Sequence, residues 1–248
     1  MRDLSTRSIR PTHPIRRSAK GPAGRRRGWR STIALKQAMA VAGLIFIGYV
    51  VGHLYGNLKI FAGKEAFDSY AHYLRVLGTP VLPHGGFLWA ARSVLLISLV
   101  VHVAAAITLW RRARAARTIT YVSRPKRNSS VSARSMRWGG VALSLYIVFH
   151  LAHLTTGTIR PDGDSSSPYE RVVGSFQPHN WWVVLIYLAA QVALGMHLHH
   201  GLFSALQTLG FTGSQLRRAV AQRISLALAT TTTVGFVSIP VSIFAGLV

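Results

Sequence analysis

Long apolar blocks separated by short polar segments dominate the chain. Five such blocks occur, at about 33–60, 87–110, 138–157, 181–206 and 224–248. At ~1.5 Å per residue in a helix, each can cross a bilayer hydrocarbon core, which is about 30 Å thick. Because a segment in lipid must satisfy its backbone polar groups internally, each block is predicted to be a helix. The pattern predicts an all-α integral membrane bundle of five transmembrane helices. In the fifth block, Pro240 and the Thr230–Thr233 run predict a kink or an early end.

Composition separates this chain from soluble basic proteins. It has 248 residues, with 29 Lys and Arg against 6 Asp and Glu, a formal net charge of +23, and no Cys. In a soluble domain such an excess would indicate binding to nucleic acid. Here only 14% of the residues are charged and 50% are hydrophobic, which is typical of a membrane protein. Because the sequence has no Cys, this chain cannot form a zinc–thiolate site or ligate an iron–sulfur cluster through thiolates.

The basic residues are divided unequally between the two sides of the predicted bundle. Of the 29 Lys and Arg residues, 23 lie on the side of the N-terminus and 6 on the other side, which also holds five of the six acids. By the positive-inside rule, the N-terminus is cytoplasmic and the C-terminus lies outside. Residues 1–30, rich in Arg, Ser, Pro and Gly, are predicted to be a disordered cytoplasmic arm, ahead of a membrane domain at 31–248.

Eleven histidines are many for such a chain, and seven of them lie within or near the ends of the apolar blocks. These seven are distributed over four blocks: His53 in the first, His102 in the second, His150 and His153 in the third, and His197, His199 and His200 in the fourth. An ionisable residue in a membrane helix is rare and commonly functional. One such histidine could equally be a neutral side chain bonded to a neighbouring helix, but four helices that each supply one are harder to explain in that way.

The helix rise places these histidines at two depths. The first and third helices run outward, so His53 and His150 lie on average roughly 24 Å from the inner face. The second and fourth run inward, so His102 and His197 lie about 23 Å from the outer face. Across a core of ~30 Å, the two levels are on the order of 15 Å apart.

Two histidines that face each other at one depth can ligate a haem iron from both sides. Two such levels would form a path for electrons across the bilayer. A zinc site fits less well, because the histidines are divided between two depths and no acidic residue lies within the blocks. Helical spacing does not choose within the i, i+3 pairs His150/His153 and His197/His200.

Four segments of the chain resemble the cytochrome b membrane anchor of succinate:quinone and quinol:fumarate reductases, in its single-chain, five-helix, two-haem class. The segments are GHLYGNLKIFAGKEAFDSYAHYL at 52–74, LVVHVAAAITLW at 99–110, YIVFHLAHLTTG at 146–157 and LGMHLHHGLFSALQTLG at 194–210. The resemblance implies axial iron ligands at His53, His102, His150 and His197. It pairs His102 with His197 at an inner haem, and His53 with His150 at an outer haem.

The resemblance also implies an assembly in the cytoplasmic membrane of a prokaryote. Such anchors hold a flavoprotein and an iron–sulfur protein at the cytoplasmic face, and they exchange electrons with membrane quinone, either menaquinone or ubiquinone. The chain would then be the quinone-reacting subunit of a succinate dehydrogenase or fumarate reductase, carrying two haem b groups. The succinate chemistry would belong to the flavoprotein. No nucleic-acid partner is expected.

Several polar residues just beyond His53 are candidates for outer-side proton transfer or quinone binding. They are Glu65, Asp68, Tyr70 and His72. They could equally belong to a solvated loop. Three other functions stay open at this point: the haem b subunit of a different membrane dehydrogenase, a transporter with a histidine proton relay, and a structural anchor that has lost a haem.

Overall fold

The computed structural model describes residues 31–116, 131–159 and 167–248, without the side chains of 131–134. The predicted arm at 1–30 and the central part of the basic segment at 111–137 therefore lie outside the described residues. Within the described ranges the chain forms helices and no strand. The predicted fold class, an all-α bundle with five helices that can span a membrane, is confirmed.

Seven α-helices follow one another along the described part of the chain. They are α1 (Thr32–Leu58), α2 (Lys64–Val76), α3 (Gly86–Ala115), α4 (Val131–His150), α5 (Pro168–Ser175), α6 (Trp181–Thr208) and α7 (Gln215–Phe244). A π-turn at Leu151–Thr155 extends α4. The five long helices α1, α3, α4, α6 and α7 are each long and apolar enough to cross a membrane, and the chain is thus a multi-pass membrane protein. Of the shorter helices, α2 lies between α1 and α3 along the chain, and α5 lies between α4 and α6.

Some helices begin or end several residues away from the limits of the predicted blocks. The fifth block was expected at 224–248, whereas α7 begins at Gln215 because the Ser214 hydroxyl accepts a hydrogen bond from the Arg217 backbone N–H at 3.2 Å. Similarly, α3 continues past Trp110 to Ala115. Arg and Ala are good helix formers, so the helix continues where the apolar block ends. Hydropathy therefore indicates the membrane segment rather than the full helix.

Pro240 does not end α7 early. The helix continues through it to Phe244, so of the two predicted outcomes, a kink or an early end, the early end is wrong. The residues on both sides of the proline are packed in the core, with Ile239 and Ile243 only 4% and 1% exposed. Burial of these side chains stabilises the last turns against the loss of one backbone hydrogen bond.

The packing of the long helices sets up the candidate site. The closely packed pairs are α6 with α7, α1 with α3, α4 with α6, and α1 with α6. These contacts place four helices in the order α3, α1, α6, α4. We call the bundle end at Thr32 the inner end, and the end that carries α2 and α5 the outer end. A buried cluster lies at the outer end, where Phe176 packs with Val183 and Ile239.

Candidate functional site

The outer pair of histidines joins α1 to α4. The ring centres of His53 and His150 are 5.9 Å apart, and the ring planes are nearly perpendicular at 85°. Phe236 of α7 packs on the other side of His53, with its ring centre 5.9 Å away, and Tyr49 stacks on His53 at 5.3 Å. The aromatic neighbours therefore enclose His53 within the bundle.

The inner pair joins α3 to α6. The ring centres of His102 and His197 are 6.1 Å apart, with an angle of 55° between the ring planes. His102 donates its Nδ1–H to the backbone carbonyl of Met39, at 3.1 Å. The Nδ1 atom of His197 is buried and has no hydrogen-bond partner among the described residues. An orphaned buried nitrogen of this kind is one that a ligand or a water would satisfy.

Contacts with α1 and α6 give the separation of the two pairs along the bundle. His102 lies against Met39 and against Gly43, whose added Cβ would be 3.5 Å from the His102 Cε1 atom. His53 is 10 to 14 residues farther along α1, which corresponds to about 15 to 21 Å of helix. On α6, Tyr187 contacts His150, and His197 follows ten residues later, about 15 Å away. The pairs thus lie at two levels.

Both pairs have the spacing that one iron with two imidazole ligands requires. A metal–nitrogen bond of about 2 Å, plus about 1 Å from the nitrogen to the ring centre, places two rings on opposite sides of one iron about 6 Å apart. The observed 5.9 and 6.1 Å agree with that separation. Each pair also connects helices that are not among the closely packed ones in the described bundle, since α6 lies between α1 and α4, and α1 between α3 and α6. These features fit a haem at each level.

The protonation implied by the His102 contact also fits iron ligation. A neutral imidazole that donates Nδ1–H to a carbonyl presents the lone pair of Nε2, which is the usual ligating atom. A carbonyl or carboxylate in this position is a common feature of metal-bound histidines. No cluster of three or more His, Cys, Asp and Glu that could hold a metal ion occurs among the described residues.

Ring contacts at both levels involve the first histidine of each cluster. His150 and His197, rather than a later member, are the residues that meet His53 and His102. His153 is fully buried, where its ring stacks on Phe149 and its Nδ1 lies 3.0 Å from the Tyr187 hydroxyl. The i, i+3 spacing alone could not make this distinction.

Tyr187 and Met39 are the residues near the histidines that sequence reasoning did not find. Tyr187 interrupts an otherwise apolar run of α6, and a buried phenol in a membrane helix needs a hydrogen-bond partner. That requirement is a signal in the sequence, but it does not identify the partner helix. The Met39 contact is made by a backbone carbonyl, so its side chain carries no signal of it.

The four predicted proton or quinone residues all lie on α2, in different environments. Glu65 and His72 are exposed, whereas Tyr70 is half-buried and packs edge-to-face on Tyr55, with ring centres 5.8 Å apart. The Tyr70 ring also fills the space beside Gly56, where an added Cβ would lie 2.6 Å from it. Tyr70 is thus a packing contact between α1 and α2.

Asp68 caps α5. Its two carboxylate oxygens accept hydrogen bonds from the Ser167 hydroxyl at 2.6 Å and from the Tyr169 backbone N–H at 3.0 Å. Nearby, Lys64 forms an ion pair with Glu170, and that carboxylate raises the pKa of Lys64 above its ordinary value. These contacts join α2 to α5 at the outer end, so Asp68 has a structural role there.

Two clefts open on the surface of the described bundle. One, of about 250 Å³, is wholly apolar and lies between α6 and α7 near Trp181 and Phe244. The other, of about 150 Å³, is lined by Trp110, Ala113, Arg114 and Arg137 at the inner end. None of the four predicted residues of α2 lines either cleft.

Comparison with known proteins adds no assignment to this geometry. No family model matches the chain, and neither a curated protein nor a solved structure matches it. The candidate site therefore stands on the two histidine pairs and on the four sequence segments that resemble the cytochrome b anchors.

Proposed function

We propose that the chain is the membrane-anchor and electron-transfer subunit of a succinate:quinone oxidoreductase, with one haem b at each histidine pair. The observation that carries the proposal is the pair of facing histidines at each of two depths, with ring centres 5.9 and 6.1 Å apart. A proton relay or a structural bundle does not require histidines in two facing pairs at separate depths. The two pairs in ring contact, His53 with His150 and His102 with His197, are those that the resemblance implies.

The residues of the chain would hold and insulate these groups. His53 with His150, and His102 with His197, would each hold one iron as neutral imidazoles. When bound, haem supplies a reversible one-electron couple. The Met39 carbonyl fixes the ring of His102, and the apolar helices exclude water from both levels. The protein would thus supply ligand orientation and a dry surrounding.

The charge distribution supports a soluble partner at the inner end. By the positive-inside rule this end faces the cytoplasm, and it carries Arg112, Arg114 and Arg137 among its described residues. We infer that a flavoprotein and an iron–sulfur protein dock there, in the cytoplasmic membrane of a prokaryote. The succinate chemistry would take place on the flavoprotein. Electrons would pass between the iron–sulfur protein and membrane quinone by way of the inner and the outer haem.

Among the four candidates of α2 for quinone-linked proton transfer at the outer end, Asp68 also has a structural role. Both oxygens of that carboxylate are engaged in capping α5. Glu65 and His72 are exposed on the same helix and are better placed to exchange protons with the outer aqueous phase. We rank these two ahead of Asp68 and Tyr70 as candidates for outer-side proton transfer.

Purification of the complex from the native membrane tests the proposal. We expect a reduced-minus-oxidised absorbance difference of haem b, co-purification of a flavoprotein and an iron–sulfur protein, and succinate-dependent quinone reduction. A complex without haem b absorbance would overturn the proposal. Haem b together with a different dehydrogenase would keep the electron-transfer role and replace the succinate assignment. Substrate-dependent proton flux in proteoliposomes without pigment would indicate a transporter.

A further inference from the structure

A polar cluster at the outer end includes two residues, Tyr187 and His153, that have no part in the proposed function. The cluster consists of Tyr187 of α6, His150 at the end of α4 and His153 in the π-turn. The Tyr187 hydroxyl lies 3.2 Å from Nδ1 of His150 and 3.0 Å from Nδ1 of His153. Tyr187 is 6% exposed and His153 is fully buried. Because a buried polar group without a hydrogen bond is costly, these contacts stabilise the cluster in an apolar surrounding.

The backbone of α4 brings both histidines to the same hydroxyl. His150 is the last residue of the α-helical part, and the π-turn that follows is closed by a hydrogen bond from the Thr156 N–H to the Leu151 carbonyl at 2.8 Å. A π-turn is rare and occurs frequently at functional sites. His150 and His153 lie three residues apart along this segment, and residues at i and i+3 share one face of a helix. Both Nδ1 atoms lie within hydrogen-bond distance of the Tyr187 hydroxyl.

Neighbouring rings hold the Tyr187 ring in place. Phe176 of α5 meets it edge-to-face with ring centres 4.8 Å apart, and Tyr146 of α4 does so at 5.3 Å. Such contacts between aromatic rings add to the stabilisation from burial alone. The hydroxyl is therefore presented to the two histidines from a fixed position.

The next step rests on the proposed function. If His150 ligates iron, its donor capacity sets the direction of its hydrogen bond to the Tyr187 hydroxyl. A neutral imidazole that ligates through Nε2 carries its proton on Nδ1. His150 then donates Nδ1–H to the Tyr187 oxygen. The phenol has a single proton, and it can donate that proton to Nδ1 of His153 in the tautomer that leaves this nitrogen unprotonated.

We propose that Tyr187 is a positioning residue for the outer haem. It sets the ring orientation and the Nδ1 proton of His150, and His153 in turn fixes the Tyr187 hydroxyl. An acceptor for Nδ1–H raises the basicity of the ligating nitrogen, which favours ferric over ferrous iron. Loss of the hydroxyl should therefore raise the midpoint potential of the outer haem and leave that of the inner haem unchanged.

Tyr146 provides a matched control. Its ring centre lies 5.6 Å from that of His150, but its hydroxyl accepts a hydrogen bond from Nε2 of Gln191, at 3.5 Å. Tyr146→Phe removes the hydroxyl of a partly buried tyrosine in the same neighbourhood without removing a bond to His150. A merely structural role of these tyrosines would affect the two variants alike.

Redox titration of the purified complex tests the proposal on the wild type, Tyr187→Phe and Tyr146→Phe. The outer haem is identified as the signal that disappears in His53→Ala. In Tyr187→Phe we expect the ratio of ferrous to ferric outer haem at a given potential to rise roughly tenfold, which is about 59 mV for one electron. Selective loss of the outer haem would also support the role. In Tyr146→Phe both potentials should stay at the wild-type values.

Unchanged outer potential in Tyr187→Phe, or equal shifts in the two variants, would overturn the proposal. If the Tyr187→Phe complex does not assemble, His153→Phe decides: loss of the acceptor for the phenol proton should raise the outer potential by a smaller amount, and no shift would overturn the proposal. A wild-type complex without haem would instead overturn the proposed function. Two haems with no response to Tyr187→Phe would overturn only this inference.

Discussion

The outer and inner histidine pairs have almost the same spacing, but they are held in different ways. At the outer level, the Nδ1 of His150 bonds to the side chain of Tyr187. At the inner level, the Nδ1 of His102 bonds to the backbone carbonyl of Met39. A side-chain hydroxyl can be removed by one substitution, whereas the carbonyl is retained by any residue in position 39. The comparison indicates that a substitution can remove the hydrogen bond to the histidine at the outer level, but not the one at the inner level.

The two levels also differ in the side chains that surround the histidines. The outer level lies under α5 and beside a buried cluster that includes Phe176 and Val183. At the inner level His102 faces Gly43, which leaves room beside the ring, and Nδ1 of His197 is without a hydrogen-bond partner among the described side chains. The outer pair is thus enclosed by protein. Among the described rings, fewer pack on the inner pair than on the outer pair.

The largest effect that can test this comparison is the loss of a whole haem. His53→Ala and His150→Ala should each remove the same haem, because both residues belong to the outer pair. His102→Ala and His197→Ala should each remove the other one. Low-temperature absorbance or EPR spectra of the remaining haem should therefore be identical within a pair and different between pairs. Identical spectra for His53→Ala and His102→Ala would contradict the assignment to two levels.

Filling the space at the inner level should have a smaller effect, confined to that level. Gly43→Leu adds a large side chain beside His102, and an overpacked site typically costs about 1–3 kcal/mol. We expect partial loss of the inner haem and full retention of the outer haem, measured as haem content per complex. Gly43→Ala is the control, since a Cβ there would make only an ordinary contact at 3.5 Å. Equal loss at both levels would show that the substitution acts on the whole bundle.

At the outer end, Asp68 should matter for stability rather than for turnover. Asp68→Ala removes the acceptor for Ser167 and Tyr169, at a cost of about 1–3 kcal/mol, and should lower the thermal midpoint of the complex by a few degrees. Asp68→Asn keeps an acceptor for the Tyr169 N–H and should be milder. Loss of quinone-linked turnover in Asp68→Asn with an unchanged thermal midpoint would instead assign Asp68 to proton transfer.

The smallest effect is expected from the ion pair between Lys64 and Glu170. Both side chains are about half exposed, and pairs of this kind contribute little. The pKa of Lys64 is raised by Glu170, so any stabilisation is fully present below the ordinary lysine pKa of about 10.4 and is lost as the pH rises through the raised value. Lys64→Met should therefore leave the thermal midpoint unchanged at every pH from 6 to 9. A midpoint difference that varies across this range would contradict that expectation.

The parts of the structure that the sequence could predict are those that depend on local pattern. Block length predicts five spanning helices, and the helix rise places His53 and His102 at different depths. Hydropathy does not predict where α7 begins, because the start depends on the Ser214 hydroxyl rather than on apolar content. Pro240 likewise does not end the helix, because Ile239 and Ile243 are buried on both sides of it.

Contacts between distant segments could not be predicted in this way. Tyr187 and His150 are 37 positions apart, and Asp68 and Ser167 are 99 apart, so no periodicity joins them. The backbone carbonyl of Met39 leaves no trace in residue type. Asp68 illustrates the consequence: its position beyond His53 suggested proton chemistry, but could not predict its hydrogen bonds to the start of α5.

Haem stoichiometry tests the central claim, two haems held by two histidine pairs, most directly. Pyridine haemochrome absorbance relative to protein should give two haem b per wild-type chain and one per His102→Ala chain. His84→Ala, which changes an exposed histidine of the segment between α2 and α3, should retain two. Fewer than two haems in the wild type, or two haems retained in His102→Ala, would contradict the account.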